Sequence, residues 1–303
     1  MNSIVTVLTQ NILPIFIVAG FGFAVQRWLS LDKRTLSSLV LNVLSPCLVF
    51  SSLIRSQLPA DELLELSLFA IISILLTGLA ALILARLLRL SRLDTVAMLI
   101  VVMFVNGGNY GLTLNELRYG DAGLARAIVY FTTSTLMVYT LGIFVASMGK
   151  MSIKQSAAKL LRLPAVYAAL AAVLVYSFHI TVPKPLLTGI EVAGAGSIPV
   201  MIIVLGMQLA DWNGVSSLKL ALPAVAMRLI VGPLVGLFVA MLVGLEGVGR
   251  STSIIETSMP TAVFAIVLAT EFELQPAAVT SIVLLSTLIS PLTVAATISL
   301  LGL

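Results

Sequence analysis

Apolar residues run along this chain in long stretches that short polar segments separate. A run of about 18 or more apolar residues is long enough to cross roughly 30 Å of hydrocarbon. Because lipid offers no partner to backbone N–H and C=O groups, a spanning segment must be a helix or a strand of a closed barrel. The runs lack the period-two alternation of barrel strands, so the pattern predicts an all-α polytopic membrane protein.

The spacing of these stretches predicts ten transmembrane helices. We number them as spans 1 to 10 and place them at about 4–26, 33–54, 63–88, 93–118, 122–146, 163–180, 184–210, 218–244, 249–271 and 276–301. The longest polar stretch lies between the fifth and sixth spans. The predicted organisation is therefore a first five-helix repeat at 1–146, a cytoplasmic linker at 147–162 and a second five-helix repeat at 163–303.

Composition supports a membrane protein, and the distribution of charge predicts its orientation. Hydrophobic residues make up 59% of the chain and charged residues 10%, and the mean hydropathy is +1.14. Soluble domains carry about 25% charged residues. The net charge of +4 comes from basic residues in short loops, which indicates topology and no nucleic-acid partner. Loops after odd-numbered spans are richer in Lys and Arg, so we expect both termini to face outside, in a bacterial inner membrane.

An internal repeat with an offset of 152 or 153 residues relates the two halves. Three pairs of similar features share this offset, namely Pro46 with Pro199, Ser134 with Ser286, and Gly108 with Pro260. Because each half has an odd number of spans, the second half enters the membrane from the opposite side. The sequence therefore predicts an inverted repeat, which is typical of secondary transporters.

The centre of span 4 has a composition that opposes a continuous helix. Three glycines and two asparagines fall within the six residues Asn106-Gly107-Gly108-Asn109-Tyr110-Gly111. Glycine costs about 1 kcal/mol relative to alanine in a helix interior. We predict an unwound segment that lines a cavity, with substrate-binding roles for Asn106, Gly108, Asn109 and Tyr110. A helix-packing face of small residues is the alternative.

The centre of span 9 carries a second predicted break. Proline removes a backbone hydrogen bond and clashes with the preceding turn, so Pro260 is expected to interrupt the helix. Its neighbours Met259 and Thr261 become candidate substrate-binding residues, and Pro46 and Pro199 are candidates in spans 2 and 7. Paired breaks at matching positions of two halves indicate a transporter site. An ordinary proline kink is the alternative.

Glu256 places a carboxyl group near mid-membrane, where an isolated charge costs at least about 2.5–3.5 kcal/mol. Two functional interpretations are a proton carrier and a ligand of a coupling Na⁺. Candidate co-ligands are Asn106 and the hydroxyls of Thr132, Thr133 and Ser134. A protonated glutamate that caps the broken helix is the structural alternative.

Arg228 lies about ten residues into span 8 and is a candidate for attracting an anion at the cavity mouth. Pairing with a helix end or a lipid phosphate is the alternative.

The chain shows no metal-ligand spacing of His, Cys and acidic residues, no phosphate-binding loop and no Gly-x-Ser-x-Gly motif. We therefore predict no enzyme activity and no cofactor, apart from a coupling Na⁺.

Four segments resemble the auxin efflux carrier family, in its bacterial branch of malate and malonate permease-like proteins. They are NGGNYGLTLNELRYGDAGLARAIVY in span 4, SIPVMIIVLGMQLA in span 7, and SMPTAVFAIVLATEF with VTSIVLLSTLISPLT in spans 9 and 10. The resemblance implies membership of the bile acid:sodium symporter superfamily. It also implies two inverted five-helix repeats, with spans 4 and 9 broken and crossing.

The same resemblance implies a scaffold of spans 1, 2, 6 and 7 that dimerises and a moving transport domain of spans 3–5 and 8–10. Glu256 falls where the related sodium symporters place a metal-binding glutamate. Thr113 stands where family members often have proline, and Phe264 where many have asparagine, so the cavity is locally more apolar.

These features together predict a secondary active transporter of a small organic anion, a mono- or dicarboxylate, with possible Na⁺ coupling. A proton-coupled carrier and a potential-driven uniporter are alternatives within the same class. A channel is a further alternative. A membrane sensor or interaction protein on the same fold belongs to a different class.

Overall fold

The computed structural model describes residues 4–56, 58–147, 164–178, 180–210 and 214–303. These ranges form helices that we number in chain order: α1 (Ile4–Leu29), α2 (Thr35–Arg55), α3 (Ala60–Leu87), α4 (Arg92–Met103), α5 (Gly107–Ala146), α6 (Pro164–Ser177), α7 (Lys184–Ala210), α8 (Leu218–Val243), α9 (Gly247–Thr257), α10 (Phe264–Glu271) and α11 (Pro276–Leu301).

Seven of the helices in the described ranges are long and apolar enough to cross a membrane, namely α1, α2, α3, α5, α7, α8 and α11. The prediction of a polytopic all-α membrane protein is confirmed. In the described residues, three of the predicted spans contain no single helix that is long enough to cross a membrane. Span 4 is divided between α4 and the start of α5, span 9 is divided between α9 and α10, and span 6 contains the shorter α6.

Local chemistry explains where several of these helices begin and bend. Helix α4 begins after Ser91, whose hydroxyl accepts a hydrogen bond from the backbone N–H of Asp94 at 3.1 Å. This is the N-cap geometry that satisfies an unpaired helix donor. Helix α5 bends at Gly120, where φ is +60°. That backbone conformation favours glycine because it has no Cβ.

The two breaks follow from the residues predicted to cause them. Helix α4 ends at Met103 because the next residue, Phe104, is extended, with φ −110° and ψ 124°. The chain re-enters helix with a π-helical turn at Gly107–Gly111. Helix α9 ends at Thr257, two residues before the Met259–Pro260 bond, and α10 begins only at Phe264.

By their contacts, the described helices can be divided into two groups. In the first group α7 packs on α1 and α2, and α6 packs on α2. The second group consists of α3, α4, α5, α8, α9, α10 and α11, and it meets the first where α5 contacts α2 and α11 contacts α1. Helices α1 and α7 approach so closely that each needs a glycine at the contact. A Cβ on Gly22 would lie 2.8 Å from the carbonyl carbon of Ile203, and a Cβ on Gly206 would lie 2.6 Å from that of Ala19. Small residues allow this close backbone approach in membranes.

The predicted linker at 147–162 lies, apart from Ser147, outside the described residues.

The α1–α7 contact leads to a stability prediction. Gly22→Ala places a methyl group against the α7 backbone, and overpacking of this kind costs about 1–3 kcal/mol. We expect a lower thermal unfolding midpoint in detergent for this variant.

Gly20→Ala is the matched control, because a Cβ at Gly20 has no atom within 4 Å. Alanine is also the better helix former, so Gly20→Ala should unfold at or slightly above the wild-type temperature. Equal unfolding midpoints for Gly22→Ala and Gly20→Ala would contradict the close contact between α1 and α7.

Candidate functional site: the crossover of two broken helices

The two breaks meet at the centre of the molecule as a short antiparallel pair. Val105 lies opposite Thr261. The Asn106 N–H donates to the carbonyl of Pro260 at 2.8 Å, and the Ala262 N–H donates to the carbonyl of Phe104 at 2.9 Å. Backbone groups that left their helices therefore bond to each other, as the membrane interior requires. We call residues 104–106 and 260–262 the crossover.

Thr261 anchors the crossover to two other helices. Its backbone N–H donates to the Ser286 hydroxyl of α11 at 3.2 Å, and its own hydroxyl donates to the Val101 carbonyl of α4 at 2.9 Å. The residue is fully buried. These bonds satisfy a donor and an acceptor that the breaks would otherwise leave unpaired at mid-depth.

A cavity of about 240 Å³ lies beside the crossover. Helices α2, α5, α7 and α10 and the crossover itself contribute its lining. Most lining side chains are apolar, and none of the described lining residues is charged. The polar ones are Ser37, Asn106, Asn109, Ser134, Thr135, Tyr139 and Gln208. The cavity therefore resembles a small-molecule site, with a few polar groups set in an apolar surface.

The N-terminal ends of α5 and α10 both face this cavity. Gly107, Gly108 and Asn109 begin α5, Val263 directly precedes α10, and Phe264 begins it; all five line the cavity. The first N–H groups of a helix have no partner within the helix. They carry the positive end of the helix dipole, which favours a bound anion.

The turn at Gly107–Gly111 has two different neighbours. A Cβ on Gly108 would lie 2.8 Å from the Phe131 ring, which borders the cavity. A Cβ on Gly107 would lie 2.7 Å from Oε2 of Glu256, and one on Gly111 would lie 2.7 Å from the carboxyl carbon of Glu256. The turn therefore separates the cavity from a buried carboxyl group, and glycines provide the room on both sides.

Glu256 is fully buried behind this turn. The side-chain amide of Asn115 donates to its Oε1 at 3.0 Å and to the carbonyl of Gly111 at 3.0 Å. Oε2 has no hydrogen-bond partner in the described part of the chain, and the same holds for Oδ1 of Asn115 and the hydroxyls of Thr252 and Ser253. Those two hydroxyls precede Glu256 by four and three residues, so they share its face of α9.

The structure places the predicted substrate-binding residues in two sets. Asn106, Gly108 and Asn109 line the cavity. Six other predicted residues do not line it. Tyr110, Met259, Pro260 and Thr261 are buried in the surrounding packing, Pro46 is half-buried in α2, and Pro199 is exposed on α7. Position beside a break did not bring the first four side chains to the cavity, and matching positions in spans 2 and 7 did not bring the two prolines there.

The hydroxyl groups predicted to bind a coupling ion together with Glu256 lie at separate places in the structure. Ser134 lines the cavity, and the Thr133 hydroxyl donates to Ser67 at 3.3 Å. The Thr132 hydroxyl has no hydrogen-bond partner among the described residues. None of these three has a hydrogen bond to Glu256 in the described structure. The observed neighbour of Glu256 is instead Asn115.

Arg228 does not line the cavity, so its predicted anion-attracting role stays a prediction. The residue is 1% exposed, and its guanidinium donates to the carbonyls of Val102, at 2.5 Å, and Thr257. Those carbonyls lie at the ends of α4 and α9. The alternative interpretation, pairing with helix ends, describes the observed contacts.

Sequence reasoning missed two kinds of site residue. Asn115 follows Gly111 by one helical turn, and this spacing was a usable signal for a side chain on the same face. Gln208 and Tyr139 line the cavity from α7 and α5. No local pattern marks these two, because only the packing of distant helices brings them to the cavity.

Comparisons with known proteins give matches over nearly the whole chain. A family model described as membrane transport protein matches residues 7–159 and 146–298. An uncharacterized transporter of Methanothermobacter thermautotrophicus is 27% identical over 292 residues, which cover 93% of this chain and 94% of that protein. An uncharacterized transporter of Methanocaldococcus jannaschii is 22% identical over 269 residues, covering 86% and 87%.

The contact between Glu256 and Asn115 leads to a double-mutant prediction. Leucine at either position leaves the other buried polar group without its partner, which costs about 1–3 kcal/mol, whereas replacing both partners is less costly than the sum. We expect the thermal unfolding midpoint of the double variant to fall by less than the sum of the falls in Asn115→Leu and Glu256→Leu.

The control cycle pairs Glu256→Leu with Asn109→Leu, since Asn109 lines the cavity on the other side of the turn. In this second cycle the fall in midpoint of the double variant should equal the sum of the two single falls. Additive falls in both cycles would show that the Asn115–Glu256 contact contributes nothing to the stability of the folded protein.

Proposed function

Because the chain belongs to the family of membrane transport proteins, we propose that it is a secondary active transporter of a small organic anion. The family and the transporter relatives indicate a non-enzymatic membrane protein with a small-molecule substrate, and they agree with the resemblance to auxin efflux carriers. The observation that carries the anion proposal is that two helix N-termini face one cavity at the crossover.

A carboxylate fits the chemistry of this cavity. The first N–H groups of α5, at Gly107, Gly108 and Asn109, lack partners within the helix and would donate to its oxygens. The Asn106 and Asn109 side chains, which line the cavity, would supply further polar contacts. No acidic side chain is present among the described lining residues to repel it. The substrate is a mono- or dicarboxylate, and its apolar part would contact residues such as Phe131 and Phe264.

An inverted repeat of ten spans is part of the proposal. Contacts between equivalent positions of two repeats are expected near a two-fold axis that relates them. Ser45 and Ser197, 152 residues apart, contact each other through their hydroxyls at 3.3 Å. This contact supports an axis between the repeats, which alternating access uses by moving one part of the protein against the other.

In the proposed mechanism the group of α1, α2, α6 and α7 is a scaffold, and the crossover moves with the second group. The family resemblance favours a homodimer formed through the scaffold.

The position of the cavity supports an inward-facing state. Lining residues such as Ser37, Tyr139, Gln208 and Val267 lie on the helix halves nearest the loops after spans 1, 5, 7 and 9. Loops after odd-numbered spans are the ones rich in basic residues, which face the cytoplasm by the positive-inside rule. We propose a plasma-membrane location with both termini outside.

The transport proposal predicts saturable carboxylate uptake by the purified protein in liposomes. Asn109→Ala removes a polar side chain from the cavity, and loss of one hydrogen bond to a charged ligand corresponds to about a tenfold fall in apparent affinity. Asn42→Ala is the matched control, because Asn42 is exposed on α2 and bonds to the Ser38 carbonyl.

Counterflow, in which internal substrate accelerates uptake of labelled substrate, separates a carrier from a channel. Absence of carboxylate movement under every ion gradient and membrane potential would overturn the transport proposal and favour a sensor or interaction protein.

Sodium coupling through Glu256 is a second, separate proposal. A buried carboxyl with an unpartnered oxygen, beside unpaired oxygens of Asn115, Thr252 and Ser253, offers the hard oxygen ligands that a small cation takes. Proton coupling at the same carboxyl is the main alternative, and a potential-driven uniporter needs neither ion.

The sodium proposal predicts that Na⁺ raises the thermal midpoint above that in equal K⁺, because ligand binding stabilises the folded state. At a concentration 100 times the dissociation constant the gain is about 2.7 kcal/mol. Glu256→Gln should abolish the difference, whereas Glu246→Gln should retain it, since Glu246 is exposed before α9.

Equal wild-type midpoints in the two salts would contradict sodium binding. Uptake driven by a pH gradient, and lost in Glu256→Gln, would then identify proton coupling.

A further inference from the structure

Arg228 of α8 contacts both helices that end at the crossover. Its side chain is almost completely buried, with 1% exposure. One terminal nitrogen, Nη1, donates to the Val102 carbonyl at 2.5 Å, and the other, Nη2, donates to the Thr257 carbonyl. Val102 is the penultimate residue of α4, and Thr257 is the last residue of α9. One side chain therefore joins two helix ends that are far apart in sequence.

The chemistry of helix ends explains why an arginine suits this position. The last four carbonyls of a helix lack partners within the helix, and they carry the negative end of its dipole. The planar guanidinium presents donors in a fixed fork, which one ammonium group does not match. Arg228 thereby supplies a positive charge and two donors to carbonyl groups that lipid cannot satisfy.

The neighbouring sequence leaves space for this arrangement. Gly232 follows Arg228 by one turn of α8, and a Cβ on Gly232 would lie 2.8 Å from the guanidinium carbon and 2.8 Å from the Thr257 carbonyl oxygen. A side chain at this position would displace either the guanidinium or the end of α9. The glycine and the arginine therefore form one packing unit against the helix end.

We propose that Arg228 is the positioning residue of the crossover. It holds the ends of α4 and α9 so that residues 104–106 and 260–262 pair and the cavity-lining residues that follow them are correctly placed. Arg228 does not line the cavity, and its two terminal nitrogens are engaged by carbonyls. Its effect on substrate is therefore indirect. The effect on transport rests on the proposed function, whereas the effect on the crossover does not.

A disulfide between positions 105 and 261 measures the crossover directly. The hydrogen bonds flank Val105 and Thr261 on both sides, which makes them a non-hydrogen-bonded antiparallel pair. Such pairs have Cα atoms about 4.5 Å apart, within the range that a disulfide spans. The parent for the test carries Val105→Cys and Thr261→Cys with Cys47→Ala, because Cys47 is the single native cysteine.

We expect the parent to oxidise to the intramolecular disulfide, read by loss of maleimide labelling at both cysteines. Arg228→Met should lower the oxidation rate at least fivefold, and Arg228→Lys should give an intermediate rate, since lysine keeps the charge and loses the fork. Lys219→Met, the control on the same helix with an exposed side chain, should oxidise like the parent.

An unchanged rate in Arg228→Met would overturn the proposal, as would failure of the parent to cross-link. If Arg228→Met does not fold, Arg228→Lys decides alone: a rate equal to the parent's would overturn the proposal.

Uptake kinetics provide the second readout, in the native-cysteine background. Misplacement of the cavity residues should raise the KM for carboxylate about tenfold in Arg228→Met, with partial recovery in Arg228→Lys. A lower Vmax with unchanged KM would show a role in folding only and would contradict positioning. If the wild-type protein moves no carboxylate, the transport proposal fails while the disulfide result still decides the role of Arg228.

Discussion

Two backbone hydrogen bonds, between Asn106 and Pro260 and between Ala262 and Phe104, satisfy the polar groups that the broken helices expose at mid-membrane. In hydrocarbon an unpaired amide has no alternative partner, so each break requires the other. The further contacts of the region depend on this pair. Thr261 secures it from α11 and α4, and Arg228 secures the helix ends that lead into it.

The broken helices also place positive and negative groups at different positions around the centre of the protein. Positive helix ends face the cavity, negative ends face Arg228, and the carboxyl of Glu256 lies behind the Gly107–Gly111 turn. The cavity and the carboxyl therefore share one thin piece of backbone. Movement of that turn on filling the cavity would therefore alter the surroundings of the carboxyl.

The sequence predicted those features that depend on local backbone chemistry. The glycines and asparagines of span 4 and Pro260 of span 9 located both breaks, and hydropathy predicted a polytopic all-α membrane protein. Contacts between distant residues were not predictable, because no spacing rule brings Arg228 to Val102 and Thr257 or Gln208 to the cavity. Candidates such as Met259 and Thr261 were chosen for proximity to a proline, and proximity along the chain does not determine which way a side chain points.

Room in the cavity is limited by aromatic rings, one of which packs against a glycine of the Gly107–Gly111 turn. Phe131 packs against Gly108, and Phe264 stacks at a tilt on Tyr139 with ring centroids 5.2 Å apart. The glycines cannot accept larger side chains without moving the turn, whereas each ring can be shortened without changing the backbone. Variation in the size of the cargo among proteins built on this plan is therefore expected to track the three ring positions, and redesign for bulkier cargo should begin there.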